Sequence, residues 1–296
     1  MILGIGAVAV DDLLFVERFP IAGEKLRVAS RRRDDGGLAG TALAAAAKLG
    51  SEAAWLGVLG DDELSHAARV GLERDGVSTG HCHFDADARP HYSVILIEKA
   101  SGQRTILACN EGVTAFPVAR IEEISLENVR AVFVDHTQVA AAIALATRAR
   151  TTRIPVVSDI ERAPDGIEVL LPLCDHFIGA LGFAQTLTGE TEPENVVGAL
   201  RKTGAGETCC AVTDGERGCW FLQDDTLRHL PAFAVEAVDT TGCGDVFHGA
   251  YLGEIARGQG VEAALRFASA AAALCATRVG GRNGIPTRAE IGTLRR

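Results

Sequence analysis

The stretch "DTTGCGDVFHGA", Asp239 to Ala250, sets Gly242, Cys243 and Gly244 immediately before Asp245. An apolar helical pattern follows, with Val246, Phe247, Ala250, Tyr251 and Ile255 toward one side. The first turn of a helix carries free N–H groups and the positive end of the helix dipole. Glycine lets a ligand approach that backbone closely. The amides of Gly242, Cys243 and Gly244 therefore form a cradle suited to phosphate charge. Asp245 stands one residue further in. A carboxylate there can take the proton of a hydroxyl that attacks a bound phosphoryl group. The chemistry expected is phosphoryl transfer to an alcohol. The plainer alternative is a helix with a glycine-rich entry, in which Asp245 only complements the dipole. Cys243 has two readings as well: a small residue whose amide does the work, or a thiol of lowered pKa, open to oxidation.

Elements must hold this turn in place. Residues 232–238, "AFAVEAV", predict a strand leading into it, and Asp239, Thr240 and Thr241 a loop and helix N-cap. Upstream, short apolar runs predict buried strands over 2–10, 53–59, 131–135, 154–159, 174–179 and 208–214. Helical spacing with Gly or basic residues at the C-terminal end marks 41–50, 62–76, 138–150 and 193–204. Continuous apolar strands separated by helices point to a mainly parallel sheet covered on both faces, a three-layer α/β/α domain. Two polar, partly alternating segments break the rhythm, 12–35 and 82–109, the second with a hairpin turn at Ser101-Gly102. Both are read as a small antiparallel β lid inserted into a single domain spanning 1–296.

The chain has 296 residues, 47% hydrophobic and 23% charged, with a net charge of −10. Such an acidic chain is a poor prospect for non-specific binding to nucleic acid or anionic membrane. The apolar N-terminus has no basic leader region and reads as a first strand, not a signal peptide. No apolar run reaches the roughly 20 residues a membrane span needs. The eight cysteines show no CxxC pair and no zinc spacing, which favours reduced thiols and a cytoplasmic setting.

The motifs together resemble the ribokinase-like (PfkB) carbohydrate kinases. "VDTTGCGDVFHGA" is similar to that family's C-terminal DTxGAGD signature, with Cys243 in place of alanine. "GAVAVDDLLFVERFP" is similar to its first strand, and "DDGGLAGTALAAAAKLG" to its N-terminal Gly-Gly signature. "GQRTIL" resembles its lid hairpin and "AVTDGERG" its VTxGxxG on the nucleotide side. Within the family, the tail "RFASAAAALCATRVGGRNGIP" and the threonine ending the Gly-Gly motif are similar to the sulfofructose kinase pattern.

The resemblance implies ATP with Mg2+, a small sugar as acceptor and Asp245 as catalytic base, with the Gly242–Gly244 amides as anion hole. It implies that Asp11 holds sugar hydroxyls, a carboxylate being able to accept two at once. Gly36 and Gly37 would pass close to the sugar, with Thr41 where relatives often have asparagine. Asn110 is a further substrate candidate. Thr213, Gly215 and Gly218 would line the ATP side, and Thr240 and Thr241 would face the phosphates or a monovalent cation. Residues 277–284 would lie near the adenine or that cation loop, or form only a C-terminal turn. Where the family often carries NxxE, this chain has Ala180 and Phe183, so Mg2+ would be held mainly by ATP phosphates and water.

Lys25, Arg27, Arg31, Arg32 and Arg33 cluster in the first lid segment. They read as a solvated edge guarded against aggregation, or as attraction for an anionic sugar, with Lys25 and Arg104 the residues to test. Acceptors compatible with the pattern include sulfofructose, fructose or its phosphate, 2-keto-3-deoxygluconate, ribose and a nucleoside. A dinucleotide oxidoreductase, suggested by "GIGAVAVDD", lacks a GxGxxG at the strand–helix turn. A non-catalytic sugar or nucleotide sensor would keep the pocket without needing Asp245. Pairing of two lids would cover their edges, which predicts a homodimer.

Overall fold

The computed structural model describes residues 1–223 and 225–294. Among these, a nine-stranded sheet runs in the order 226–230, 219–223, 209–213, 176–180, 156–159, 131–135, 2–5, 53–56, 77–78. The pairs from 209–213 across to 77–78 are parallel, while 219–223 and 226–230 add on antiparallel at one edge. Residues alternate between two cores along each strand. Ile2 and Phe133 face one core, built on the helices Leu38–Lys48, Cys243–Ala256 and Val261–Ala276. Leu3, Val132 and Val134 face the other, built on the helices Val139–Thr151 and Pro193–Lys202. The three layers are those expected. The alanine run in Leu38–Lys48 serves close packing: a Cβ on Gly249 of the neighbouring helix would lie 2.0 Å from Ala42 O.

The first apolar run is two strands, not one. Ile2–Ile5 joins the large sheet and Ala9–Val16 leaves it. The break falls at Gly6, φ 149°, where a Cβ would lie 2.0 Å from Asp135 Oδ2. The buried Asp135 carboxylate accepts from Ala7 N at 2.7 Å and Thr137 N at 2.8 Å, fixing the bend.

Ala9–Val16 belongs to a four-stranded lid sheet, in the order 30–36, 9–16, 91–98, 104–109. The hairpin at Ser101-Gly102 is present, closed by Glu98 N to Gln103 O at 2.9 Å. The lid is mixed rather than antiparallel, because 9–16 and 91–98 run parallel. Residues 17–29 form no strand, and His83–Phe84 pairs with Val58–Leu59 in a separate two-stranded sheet. No helix among the described residues is long and apolar enough to cross a membrane.

The strand expected over 232–238 is absent. Ala232, Phe233, Ala234, Val235 and Ala237 line a cavity rather than join a sheet, and Val238 N bonds Ala276 O at 2.7 Å.

Candidate active site

Asp245 lies in the first turn of the helix Cys243–Ala256, whose N-cap is Gly242 at φ 69°. The N-cap is therefore one residue later than the Asp239–Thr241 loop expected for it. No side chain with a Cβ fits there, since a Cβ on Gly242 would lie 2.9 Å from Gly281 Cα. Asp239 supports the turn from behind, accepting from Thr241 N at 2.9 Å and Gly280 N at 2.8 Å. Burial pushes the Asp239 carboxyl up, but those hydrogen bonds and nearby Arg104 outweigh it and leave it below the usual carboxylate range. Cys243 N turns back to Thr240 O at 3.3 Å. The amides of Gly244 and Asp245 have no backbone acceptor among the described residues. The cradle is thus centred slightly further into the helix than the sequence pattern places it.

Asp245 itself is partly accessible. Burial, then the charges of Asp159 and Glu161, with Asp135 adding, push its carboxyl well above the usual aspartate range, while Arg282 opposes them. His248, one turn on, ties this helix to the sheet. Its Nδ1 is 2.9 Å from Gly244 O and 3.2 Å from Asp159 Oδ2, and its Nε2 is 3.1 Å from Ile178 O. Burial pushes Asp159 up to about 7 against the pull of His248. The direction for the Cys243 thiol is upward, opposite to that of an activated thiol. Its hydrogen bond with Cys275, and burial, push it up.

On one side of this turn lies a cavity of about 780 Å³, within the range of a ligand pocket. Thr213, Gly215, Gly218, Thr240, Cys243 and Gly244 all line it. Phe233, Val235, Ala272 and Ala273 supply an apolar wall. Gly218, at φ 93°, makes the turn that lets the wall pass, since a Cβ would lie 2.2 Å from Leu230 O. Thr241 does not line this cavity. Its Oγ1 accepts from Arg104 Nη1 of the lid at 2.5 Å, so the lid reaches across to the anion turn.

The residues expected for the acceptor lie on the lid strands and at the start of the helix Leu38–Lys48. Asp11 lies on Ala9–Val16, opposite Asp34 on one neighbouring strand and Ser93 on the other. Its carboxylate overlies Gly36, where a Cβ would lie 2.2 Å from Oδ2. Burial raises the Asp11 carboxyl, Ser93 and Arg282 oppose that, and Asp34 and Asp35 add to it. Gly37, at φ 87°, starts the helix Leu38–Lys48, and a Cβ there would meet Ala7 O at 2.5 Å. Thr41 is only 2% exposed, with Oγ1 3.5 Å from Arg282 Nε. It braces the site from within rather than opening its hydroxyl to solvent. Asn110 Oδ1 is 2.9 Å from His91 Nδ1, and His91 pairs in register with Ala9, two residues from Asp11.

Lys25 is not brought in: it is exposed in the 17–29 loop and makes no ion pair among the described residues. Arg33 binds Asp12 and Glu63, and Arg32 binds Asp34, so these cationic charges are largely met within the protein. Ala180 ends its strand at the surface, and Phe183 packs on the second core. Among the described residues no group of three His, Cys, Asp or Glu side chains is placed to hold a metal ion. The tail reaches the Asp239 loop through Gly280 N. What the pattern missed there is Arg282, whose side chain runs to the acceptor side.

Residues 1–288 match the pfkB family of carbohydrate kinases, and the chain belongs to that family. It is 29% identical over 282 residues to a probable fructokinase-5 of Arabidopsis thaliana, covering 86% of each chain. The structure resembles that of a putative ribokinase from Agrobacterium tumefaciens, with a TM-score of 0.88 and 31% identity over 98% of this chain and 95% of that one. The ribokinase of Arabidopsis thaliana, solved with ribose and ATP, shares the fold, with a TM-score of 0.86 at 23% identity over 99% and 97% of the two chains. The protein is a carbohydrate kinase, a phosphotransferase with an alcohol group as acceptor. The oxidoreductase reading falls with this finding.

Proposed function

We propose that the protein transfers the γ-phosphoryl group of ATP to a primary hydroxyl of a small sugar, with Asp245 as base. One chain of contacts supports the reading: Cys243 and Gly244 line the cavity, Gly242 packs on Gly281, and the next residue, Arg282, reaches the O of Gly36, which lies under Asp11. ATP occupies the cavity lined by Thr213, Gly215, Gly218 and Thr240. Mg2+ would enter with ATP, held by its phosphates and water rather than by a protein cluster, and would supply positive charge for the transferred group. Asp11 accepts two sugar hydroxyls and fixes the ring. The attacking hydroxyl gives its proton to Asp245 as the new O–P bond forms and the bond to ADP breaks. The first-turn amides and Arg104 take up the charge on the phosphoryl oxygens.

The acceptor we favour is uncharged, a ketohexose or ribose. Asp11, Asp34 and Asp35 make that side acidic, and its arginines are paired with carboxylates. A specific observation supports an anionic sugar such as sulfofructose as the second reading: the buried Nε of Arg32 has no hydrogen-bond partner. ADP release from Mg-ATP, measured across neutral sugars, sugar phosphates, sugar acids and sulfofructose, separates the two. Turnover with none of them, alongside tight sugar or ATP binding, would favour a sensor. Eight free thiols suit a reducing compartment, and we place the enzyme in the cytoplasm.

A further inference from the structure

Arg282 lies in the tail segment 277–284, where the sequence pattern gave it no role of its own, and it links the anion turn to the acceptor side. Its backbone follows Gly281, which packs on Gly242 at the anion turn. Its side chain is 3% exposed and runs the other way, to the acceptor side. There Nη2 donates to Gly36 O at 2.7 Å and Nε is 3.5 Å from Thr41 Oγ1. Nη1 is 3.7 Å from Asp75 Oδ2 and has no hydrogen bond. Asp75 in turn binds Lys48 at 3.1 Å and Arg74 at 3.3 Å, and Lys48 holds Arg282 O at 2.9 Å. The fold makes room for this guanidinium: a Cβ on Gly40 would lie 2.2 Å from Nη2. Burying a guanidinium is costly unless its position is used.

We propose that Arg282 is a positioning residue for the transfer, fixing the Gly36–Gly37 turn and Thr41 where the sugar docks and holding a buried cation behind that turn. The inference rests on the kinase reading above. Around Asp245 stand Asp159, Glu161 and Asp135, all raising its carboxyl, with His248 on its own helix, and Arg282 is the group that lowers it. Around Asp11, Ser93 and Arg282 oppose the effects of burial, Asp34 and Asp35. Loss of the Arg282 charge therefore leaves Asp245 protonated to a higher pH, and the acid limb of the rate profile moves up.

Three variants test this: Arg282→Met, Arg282→Lys and Gly40→Ala. Sugar and Mg-ATP affinities are measured by calorimetry beside kcat/KM against pH. In Arg282→Met, sugar affinity falls about tenfold or more, ATP affinity holds within twofold, and the acid limb moves to higher pH. Arg282→Lys keeps the limb in place and still loses sugar affinity, because an ammonium does not reproduce the contact to Gly36 O. Gly40→Ala pushes the guanidinium off Gly36 O, so its loss of sugar affinity does not add to that of Arg282→Met in the double variant. Unchanged sugar affinity in Arg282→Met, or equal losses for sugar and ATP in all three, overturns the proposal. If the wild type binds sugar without turnover, the kinase reading fails, and sugar affinity in the variants still decides the role of Arg282.

Discussion

Asp245, the base in the proposed transfer, is held where its carboxylate form is disfavoured. Burial and three neighbouring acids push its carboxyl well above the usual aspartate range. A base must be ionised, so kcat/KM should rise with pH through a limb above the ordinary aspartate value of about 4. Asp245→Asn should cost about 1,000-fold or more in kcat with Mg-ATP affinity retained. The same strain has a stability signature. A carboxyl with a raised folded-state pKa contributes stability below its unfolded pKa and loses it as pH rises through the folded value. Asp245→Asn should therefore raise Tm at neutral pH, with a gain that shrinks on acidification, as scanning calorimetry across pH would show. Cys243 N is turned to Thr240 O, and a hydrogen bond with Cys275, with burial, pushes its thiol up. Cys243→Ala should keep kcat within a few-fold, and alkylation at neutral pH should leave the wild type active. A large loss in the alanine variant would return a chemical role to the sulfur. At this scale the sequence was informative wherever side chain and backbone act locally, as in Gly242–Asp245. Arg282 was illegible because its partners Gly36 and Thr41 lie more than 240 positions away and leave no mark beside it.

The turn elements set how the two substrates meet. Gly36 has ordinary backbone angles, so Gly36→Ala should fold, yet its Cβ would strike Asp11 Oδ2. The expected result is a raised sugar KM with ATP KM unchanged. Arg104 stands on the lid edge and reaches Thr241. Arg104→Met should lower kcat about 100-fold with little change in ATP affinity, as for loss of one donor to a developing anion. A rise in sugar KM alone would move Arg104 from the phosphoryl group to the sugar. The buried parallel strands 131–135, 154–159 and 208–214 were legible because both faces are covered and the apolar run is continuous. The same signal misled at 232–238, where the apolar side chains line a cavity. The parallel pairing of 9–16 with 91–98 is a choice between distant strands, which local patterning does not encode.

The whole molecule is a three-layer frame whose sheet ends, helix turn and lid converge on one cleft. Its lid strand 104–109 is exposed along its length, with Ile106 at 53% and Leu107 at 54%. We expect a homodimer through the lids, with a monomer mass in sedimentation at micromolar concentration counting against it. The frame itself was legible from alternating strand and helix patterns, and the catalytic end from one twelve-residue stretch. The sugar's identity was not, because it depends on how Asp11, Asp34, Arg32 and Asn110 are set against each other in space. The most direct test of the account follows the phosphorus itself. Wild type and Asp245→Asn are incubated with Mg-ATP and the best sugar of the panel, and products are read by phosphorus NMR. The account predicts one sugar phosphate monoester formed in step with ADP by the wild type, and almost none by the variant. ADP with free inorganic phosphate alone, or equal sugar phosphate from both proteins, would contradict it.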